Sequence, residues 1–422
     1  MDPILPLSDM QQSMLVHEAL GDRPMYAMPL CFRITGELDT GRLEQALHHV
    51  IRRHPVLCAT YDDAHAVPLP STAPLPALRT ATDGSGGPGD AHMPAELAEL
   101  WEVPFDLYEE PPVRAGVISR SATEHWFALA VHHVAGDSWS LSLMVREIGL
   151  AYAALARGGP AGPADEASGF FADAAAEQDR DHDRDNAWWR GRLAGVQPQP
   201  YPRRTPPCED ERGAFLALPL GLGAAETQGI RGLARSTRVS PAVVLFTAVS
   251  AAVAAGGPPY DTTVGMPAAR RDTEELQAAM GPLLNTLPVR TTWTDPMSPA
   301  AVVLRHAEAI EESLAHKELP YSRILRAAGI QRLPGGDPLF LHLVNIDTEV
   351  PRLPLPGLRT SPVPIPPRWA NFPALWEFGW GSVGNIHGTL RASADAFTEA
   401  DAQHLRQGFQ STLRRLLDAD RT

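Results

Sequence analysis

The chain has 422 residues and a formal net charge of −14. Binding to nucleic acid depends on cationic side chains displacing counterions from phosphates, so this balance argues against a nucleic-acid partner. Hydrophobic residues at 44% and charged residues at 20% are ordinary for a chain that buries a sizeable core, and about 150 residues per domain predicts two or three compact units.

The three cysteines, Cys31, Cys58 and Cys208, cannot all pair and show no CxxC spacing. A reduced, cytoplasmic setting is therefore expected, with no disulfide framework and no metal site. The opening "MDPILPLSDMQQSM" lacks the charged and apolar regions of a signal peptide. No run reaches the ~18 apolar residues of a membrane span, so no membrane partner is expected.

In "LDTGRLEQALHHVIRRHPVLCATY", Leu43, Leu47, Val50 and Ile51 recur at helical spacing after Asp39 and Thr40, and Pro55 ends the pattern. A strand is expected to follow. His48 and His49 are adjacent, so they point in different directions and make a poor ligand pair. Residues 68 to 94 read as a surface loop. Its "GSGGPG" (84 to 89) spells GxGxxG, but Pro88 removes an N–H from the cradle and no strand leads into it, so the dinucleotide reading is rejected.

The stretch "FALAVHHVAGDSWSLSLMV" (127 to 145) joins a short apolar run, which predicts a buried strand, to a helix carrying Met144, Ile148, Tyr152 and Leu155. Consecutive strand residues face opposite sides, so only one of His132 and His133 can look into a given cleft. Asp137 follows across a turn that can fold its carboxylate back. A histidine held at the end of a rigid strand suits a general base that takes a proton from an attacking amine or hydroxyl.

The Gly/Pro/Ala tract "ARGGPAGPADEASG" is the expected boundary, giving units 1–170 and 171–422. Beyond it, aspartates at 179, 181, 183 and 185 imitate the start of a calcium loop, but Arg184 and Arg190 occupy its glycine and glutamate positions. A solvated helix laced with Asp–Arg pairs is expected there. "SPAVVLFTAVSAAVAAG" predicts a buried helix opened by Ser240 and Pro241. "DTTVGMPAARR", "LFLHLVNI" and "GTLRASAD" predict strands, residues 298 to 315 a helix, "PRLPLPGLRTSPVPIPPRWANFP" an extended crossing, and "TEADAQHLRQGFQSTLRRLL" a terminal helix. Strands mixed with helices in both halves give an α/β or α+β class.

HHxxxD followed by "WS" resembles the HHxxxDG signature of nonribosomal peptide synthetase condensation domains, which are related to chloramphenicol acetyltransferase. Further segments resemble that family in order. "LSDMQQSMLVH" (Ser8, Gln11, Met14) and "RRHPVLCATY" (Arg53, His54, Leu57) are similar to its first two motifs, and "VGMPAARR" to GxPxAGR. "MGPLLNTLPVR" (Gly281, Asn285, Thr286, Leu287) is similar to GxFVNTL, and "HKELPYSRIL" (His316, Pro320, Tyr321) to HQDxPFE. The resemblance runs from about residue 6 to the C-terminus.

It implies a V-shaped pseudodimer of two acetyltransferase-like halves with the active site at their junction. It implies acyl transfer from a carrier-protein thioester to an amine or hydroxyl, with no permanently bound cofactor, the 4'-phosphopantetheine arm arriving on the carrier. The partners implied are a donor carrier protein and either an acceptor carrier or a small nucleophile, met by a monomer. His133 is the implied catalytic residue, supported by His132, Asp137, Ser138 and Trp139. Arg271, with Arg270 as fallback, is the implied partner of Asp137, and Gly281, Asn285 and Thr286 are the implied tunnel lining.

Three positions depart from the pattern. Ser138 replaces the motif glycine, where its expected role is to cap the helix; Ser13 replaces an arginine or glycine; and around "GGDPLFLHLVNI" only Asp337, Pro338 and Leu339 of the last motif remain. Two alternatives stay open. One is an epimerisation domain of the same fold, although Trp139 precedes Ser140 in the condensation order. The other is a catalytically silent docking module that recruits tailoring enzymes. No adenylation core or carrier segment is present in the sequence, so a free-standing enzyme or an excised domain is expected.

Overall fold

The computed structural model describes residues 5–418 except 21–23, 63, 71, 83–92, 164, 168, 203, 204, 206, 210–212, 255–257, 295, 296, 331–338, 347–350, 366–368, 370, 371, 382 and 383. The "GSGGPG" segment and the Asp337–Pro338 pair therefore lie outside the described residues. Contacts divide the chain into two units. The first comprises Met1–Arg180, Arg270–Leu284 and Val350–Pro366; the second comprises Asp181–Ala269, Asn285–Glu349 and Pro367–Thr422. The sequence reading draws a single cut at residue 170, whereas this division is discontinuous and returns two later segments to the first unit.

The first unit holds a five-stranded sheet in the order Arg359–Val363, Ala27–Thr35, Glu124–His132, Val113–Ser121, Arg79–Thr82. Its pairings are antiparallel except the last. Helices Thr40–Arg53 and Ser138–Ala156 pack together, burying Leu43, Leu47, Val50, Met144, Val145 and Ile148 with Phe32, Ile34, Phe127 and Leu129 of the sheet. Asp39 caps the first helix by accepting from Arg42 N–H at 2.9 Å, as its position before the apolar pattern predicts. Residues 68 to 94, read as loop, contribute the strand Arg79–Thr82. The Pro-rich crossing contains the strand Arg359–Val363; it lies at the sheet's edge, where Pro362 removes no ladder bond that the sheet interior needs.

The second unit holds a six-stranded mixed sheet in the order Leu284–Trp293, Tyr260–Ala269, His342–Ile346, Ala374–Trp380, Ile386–Ser393, Phe215–Pro219. Against it lie helices Ala224–Thr237, Pro241–Val253, Pro299–Leu314 and Glu399–Asp418, with Phe246, Trp376, Phe378 and Phe409 buried among them. Pro241 opens its helix as expected, but the Ser240 side chain makes no capping bond. The aspartate-rich stretch forms the helix Asp183–Arg192. It is laced differently from the expected Asp–Arg ladder: Asp185 bonds His316, Arg192 pairs with Glu312, and Trp189 is fully buried.

Among the described residues, no single helix is long and apolar enough to cross a membrane, and no group of three or more His, Cys, Asp or Glu residues could hold a metal ion. All three thiols are free.

Candidate active site

The apolar run 126–131 is almost wholly buried. It holds the end of its strand in register, Ala27 opposite His132, and His133 N–H donates to Tyr26 O at 2.8 Å. The chain then makes a single 3-10 turn, His133–Ala135, before Gly136 and the helix Ser138–Ala156.

The two histidines leave this point with opposite proton placements. His133 Nδ1 lies 2.6 Å from Gly136 O. A carbonyl can only accept, so Nδ1 carries the proton and Nε2 presents the lone pair. No hydrogen bond from the described residues reaches that Nε2. Burial pushes the His133 pKa below the ordinary histidine value, while the Asp137 charge and the Gly136 carbonyl oppose that shift. The ring is therefore neutral near pH 7, with Nε2 free to accept a proton.

His132 is completely buried. Its Nδ1 accepts from Val134 N–H at 3.1 Å, so its proton sits on Nε2. The ring packs edge-on against Tyr26 and Phe105, with centroids 6.0 and 5.7 Å away.

Asp137 takes its hydrogen bonds in a polar knot built within the first unit. Its Oδ1 accepts from Ser140 N–H, the Ser140 hydroxyl and Arg271 Nη2, each at 2.8 Å. Oδ2 accepts from Arg271 Nη2 at 3.0 Å. Arg271 Nη1 donates to Leu276 O and Ala279 O, both at 2.7 Å. A buried carboxylate and guanidinium are tolerable only when nearly every lone pair and proton is used, as here. Asp137, and not Ser138, is thus the helix cap. Ser138 is an exposed first-turn residue whose carbonyl accepts from the Ser142 hydroxyl at 3.1 Å. Trp139, 52% exposed, donates from its indole to Gln277 O at 2.9 Å and lies under Arg271.

Arg271 and its neighbour Arg270 take different partners. Arg270 reaches Glu177 at 2.9 Å and Asp173 at 3.1 Å. Gly281 sits in the knot itself: its N–H donates to the Ser140 hydroxyl, its carbonyl accepts from Arg271, both at 3.1 Å, and its φ is +149°. A Cβ there would stand 2.1 Å from the Phe170 ring, so the position admits only glycine.

Asn285 and Thr286 lie in the second unit. The Asn285 amide donates to Lys317 O at 2.8 Å and Leu319 O at 2.7 Å, and its oxygen accepts from Thr286 N–H at 2.9 Å and Tyr321 N–H at 3.0 Å. Both amide donors and both lone pairs are used. Its side chain therefore staples the 317–321 segment and has no polar capacity left for a ligand. Trp189 and Asp185 grip the same segment through His316, at 3.0 and 2.7 Å.

Two supporting groups escaped the sequence reading. Ser140, third in the helix that Asp137 caps, stands at the spacing where a capping partner belongs. Gln11, quoted only as a motif letter, donates to Val134 O at 2.8 Å and so holds the histidine turn from the helix Asp9–Leu20.

Comparison with known proteins places this arrangement. The family model described as Condensation domain matches residues 1–419. The chain is similar to the dimodular nonribosomal peptide synthase of Bacillus subtilis, 27% identical over 98% of this chain and 18% of that protein. It is also similar to the chondramide synthase of Chondromyces crocatus, 27% identical over 85% of this chain and 9% of that protein. It thus spans less than a fifth of either relative. Among solved structures it resembles the X-domain from teicoplanin biosynthesis in complex with OxyB, with a TM-score of 0.82, 24% identity, and coverage of 99% of this chain and 94% of that one. It also resembles the first condensation domain of the CDA synthetase, with a TM-score of 0.77, 20% identity, and coverage of 98% and 96%.

Proposed function

Because this chain belongs to the condensation-domain family of nonribosomal peptide synthesis, we propose that it is an acyltransferase that moves an acyl or peptidyl group from a carrier-bound phosphopantetheine thioester to an amine or hydroxyl, with His133 as the base. The observation that carries this reading is the His133 Nδ1–H bond to Gly136 O at 2.6 Å, which leaves Nε2 as a lone pair on a neutral ring.

The acceptor nitrogen or oxygen attacks the thioester carbonyl, His133 Nε2 takes the proton released, the C–S bond breaks, and the proton passes to the departing pantetheine sulfur. An amine attacks thioesters readily, so holding it in line contributes most; effective molarities for such alignment reach about 10⁵ to 10⁸ M. A hydroxyl needs the base more, and a positioned base contributes roughly 10² to 10⁴. The Asp137–Arg271 knot fixes the turn and takes no proton, since Asp137 oxygens already accept from Ser140 and Arg271.

A second reading, a docking module that recruits a tailoring enzyme, draws on the fold shared with the X-domain seen with OxyB. The histidine pair, with its complementary proton placement, favours turnover instead. The test incubates wild type and His133→Ala with acyl-phosphopantetheinyl carrier proteins and a panel of amine and alcohol acceptors, followed by intact-mass spectrometry. Product that falls steeply in the variant supports the acyltransferase. Tight carrier binding with no product from any pair, and no deuterium exchange at the donor Cα, supports recruitment.

A further inference from the structure

The base proposed above stands on a turn whose conformation depends on its buried neighbour, and that neighbour's proton has one place to point. His132 Nδ1 accepts the Val134 N–H, so the ring's proton is on Nε2. That Nε2 is buried and lies 3.4 Å from Glu18 Oε2. Neither atom makes a hydrogen bond to any group among the described residues, so the two meet as a close buried contact. A carboxylate oxygen at this distance favours an N–H over a lone pair on the facing nitrogen, so the contact and the Val134 bond select the same tautomer.

Glu18 and Gln11 are seven residues apart on the helix Asp9–Leu20, two turns, and so share a face. Gln11 grips the turn by Val134 O, and Glu18 lies against the His132 ring that accepts Val134 N–H. Both polar groups of the Val134 peptide unit and its neighbour are thereby tied to one helix. Loss of the Glu18 carboxylate removes one of the two influences that keep the proton on Nε2 and leaves the Val134 N–H to hold it alone. The alternative tautomer would turn His132 Nδ1–H against Val134 N–H, two donors face to face, and force the 133–135 turn open.

We propose that Glu18 is a positioning residue for His133: its carboxylate, 3.4 Å from His132 Nε2, reinforces the Nε2–H tautomer that the Val134 N–H requires, and His132 then holds the turn that presents the base. The inference deepens the acyltransferase reading and rests on it only for its effect on turnover.

The test compares Glu18→Gln, which keeps an accepting oxygen, with Glu18→Leu, which does not. The ring nitrogens of His132 are read by 15N NMR of histidine-labelled protein, and the Val134 amide by hydrogen exchange. In wild type and Glu18→Gln, Nε2 is the protonated nitrogen and Val134 is protected. In Glu18→Leu the proton redistributes, Val134 protection falls, and kcat drops about tenfold, the scale of a buried electrostatic contact of about 1 kcal/mol, with KM for the donor carrier unchanged. Unaltered His132 nitrogens and Val134 protection in Glu18→Leu overturn the proposal, and so does an altered tautomer with unchanged kcat. A wild type that turns over no substrate counts against the acyltransferase reading, and the NMR and exchange results then decide the role of Glu18 alone.

Discussion

Replacing Asp137 by alanine removes the centre of the most densely bonded polar group in the first unit. Two losses add. The helix Ser138–Ala156 loses its cap at Ser140 N–H, about 1 kcal/mol. Arg271, only 7% exposed, keeps its bonds to Leu276, Ala279 and Gly281 carbonyls but loses its counter-charge. Breaking a buried pair from one side costs about 3–5 kcal/mol. The sum, about 4–6 kcal/mol, is a large part of the ~5–15 kcal/mol that holds a typical domain folded.

With a urea slope of about 2–3 kcal/mol/M, the first unit's unfolding midpoint falls by roughly 2 M. Asp137→Asn, which retains the cap and the shape, loses less. The double variant Asp137→Ala/Arg271→Met recovers much of the loss, because no buried charge remains. Urea titrations of these four proteins and of Arg271→Met, followed by circular dichroism, measure the coupling. A midpoint for Asp137→Ala within error of wild type, or a double variant no more stable than the single, refutes the reasoning.

The second unit carries an acid-sensitive pair. Burial pushes His306 and His342 down to about 4, against about 6.5 in the unfolded chain. The unfolded state therefore binds more protons below neutrality, so stability is full above about pH 6.5 and drains as pH falls toward 4, by roughly 3 kcal/mol per ring. Thermal melts across that window check it, and His342→Gln flattens the slope if the assignment holds.

Gly281→Ala forces a left-handed φ on a Cβ and drives it into Phe170; a loss of about 2–4 kcal/mol in a calorimetric melt is expected. Asn285→Asp replaces two donors by a carboxylate facing the Lys317 and Leu319 carbonyls. It is expected to destabilise the second unit more than Asn285→Ala does, by differential scanning fluorimetry. His133→Ala is expected to leave melting almost unchanged while slowing ester formation by about 10² to 10⁴ and amide formation less.

The strand 124–132 and the helix after it were legible because a short apolar run and a 3.6-residue period each name one element. The edge strand Arg359–Val363 was not, since prolines mask strand character wherever no central ladder bond is at stake. Asn285 reads as a tunnel-lining residue from its motif, and its amide is taken up in stapling the 317–321 segment. Its partners, Lys317, Leu319 and Tyr321, lie more than thirty residues away, beyond any local pattern.

What the sequence determined by itself is the order of elements, the placing of two histidines at a strand's end, and the family, because these depend on local periodicity and on residues close together in the chain. Tertiary structure decided which arginine meets Asp137, which nitrogen of each histidine keeps its proton, and that Glu18 stands behind His132. The first two are choices between chemically equal groups, and only the donor or acceptor that folding brings within hydrogen-bond distance breaks the tie; the third depends on a contact between residues more than a hundred positions apart.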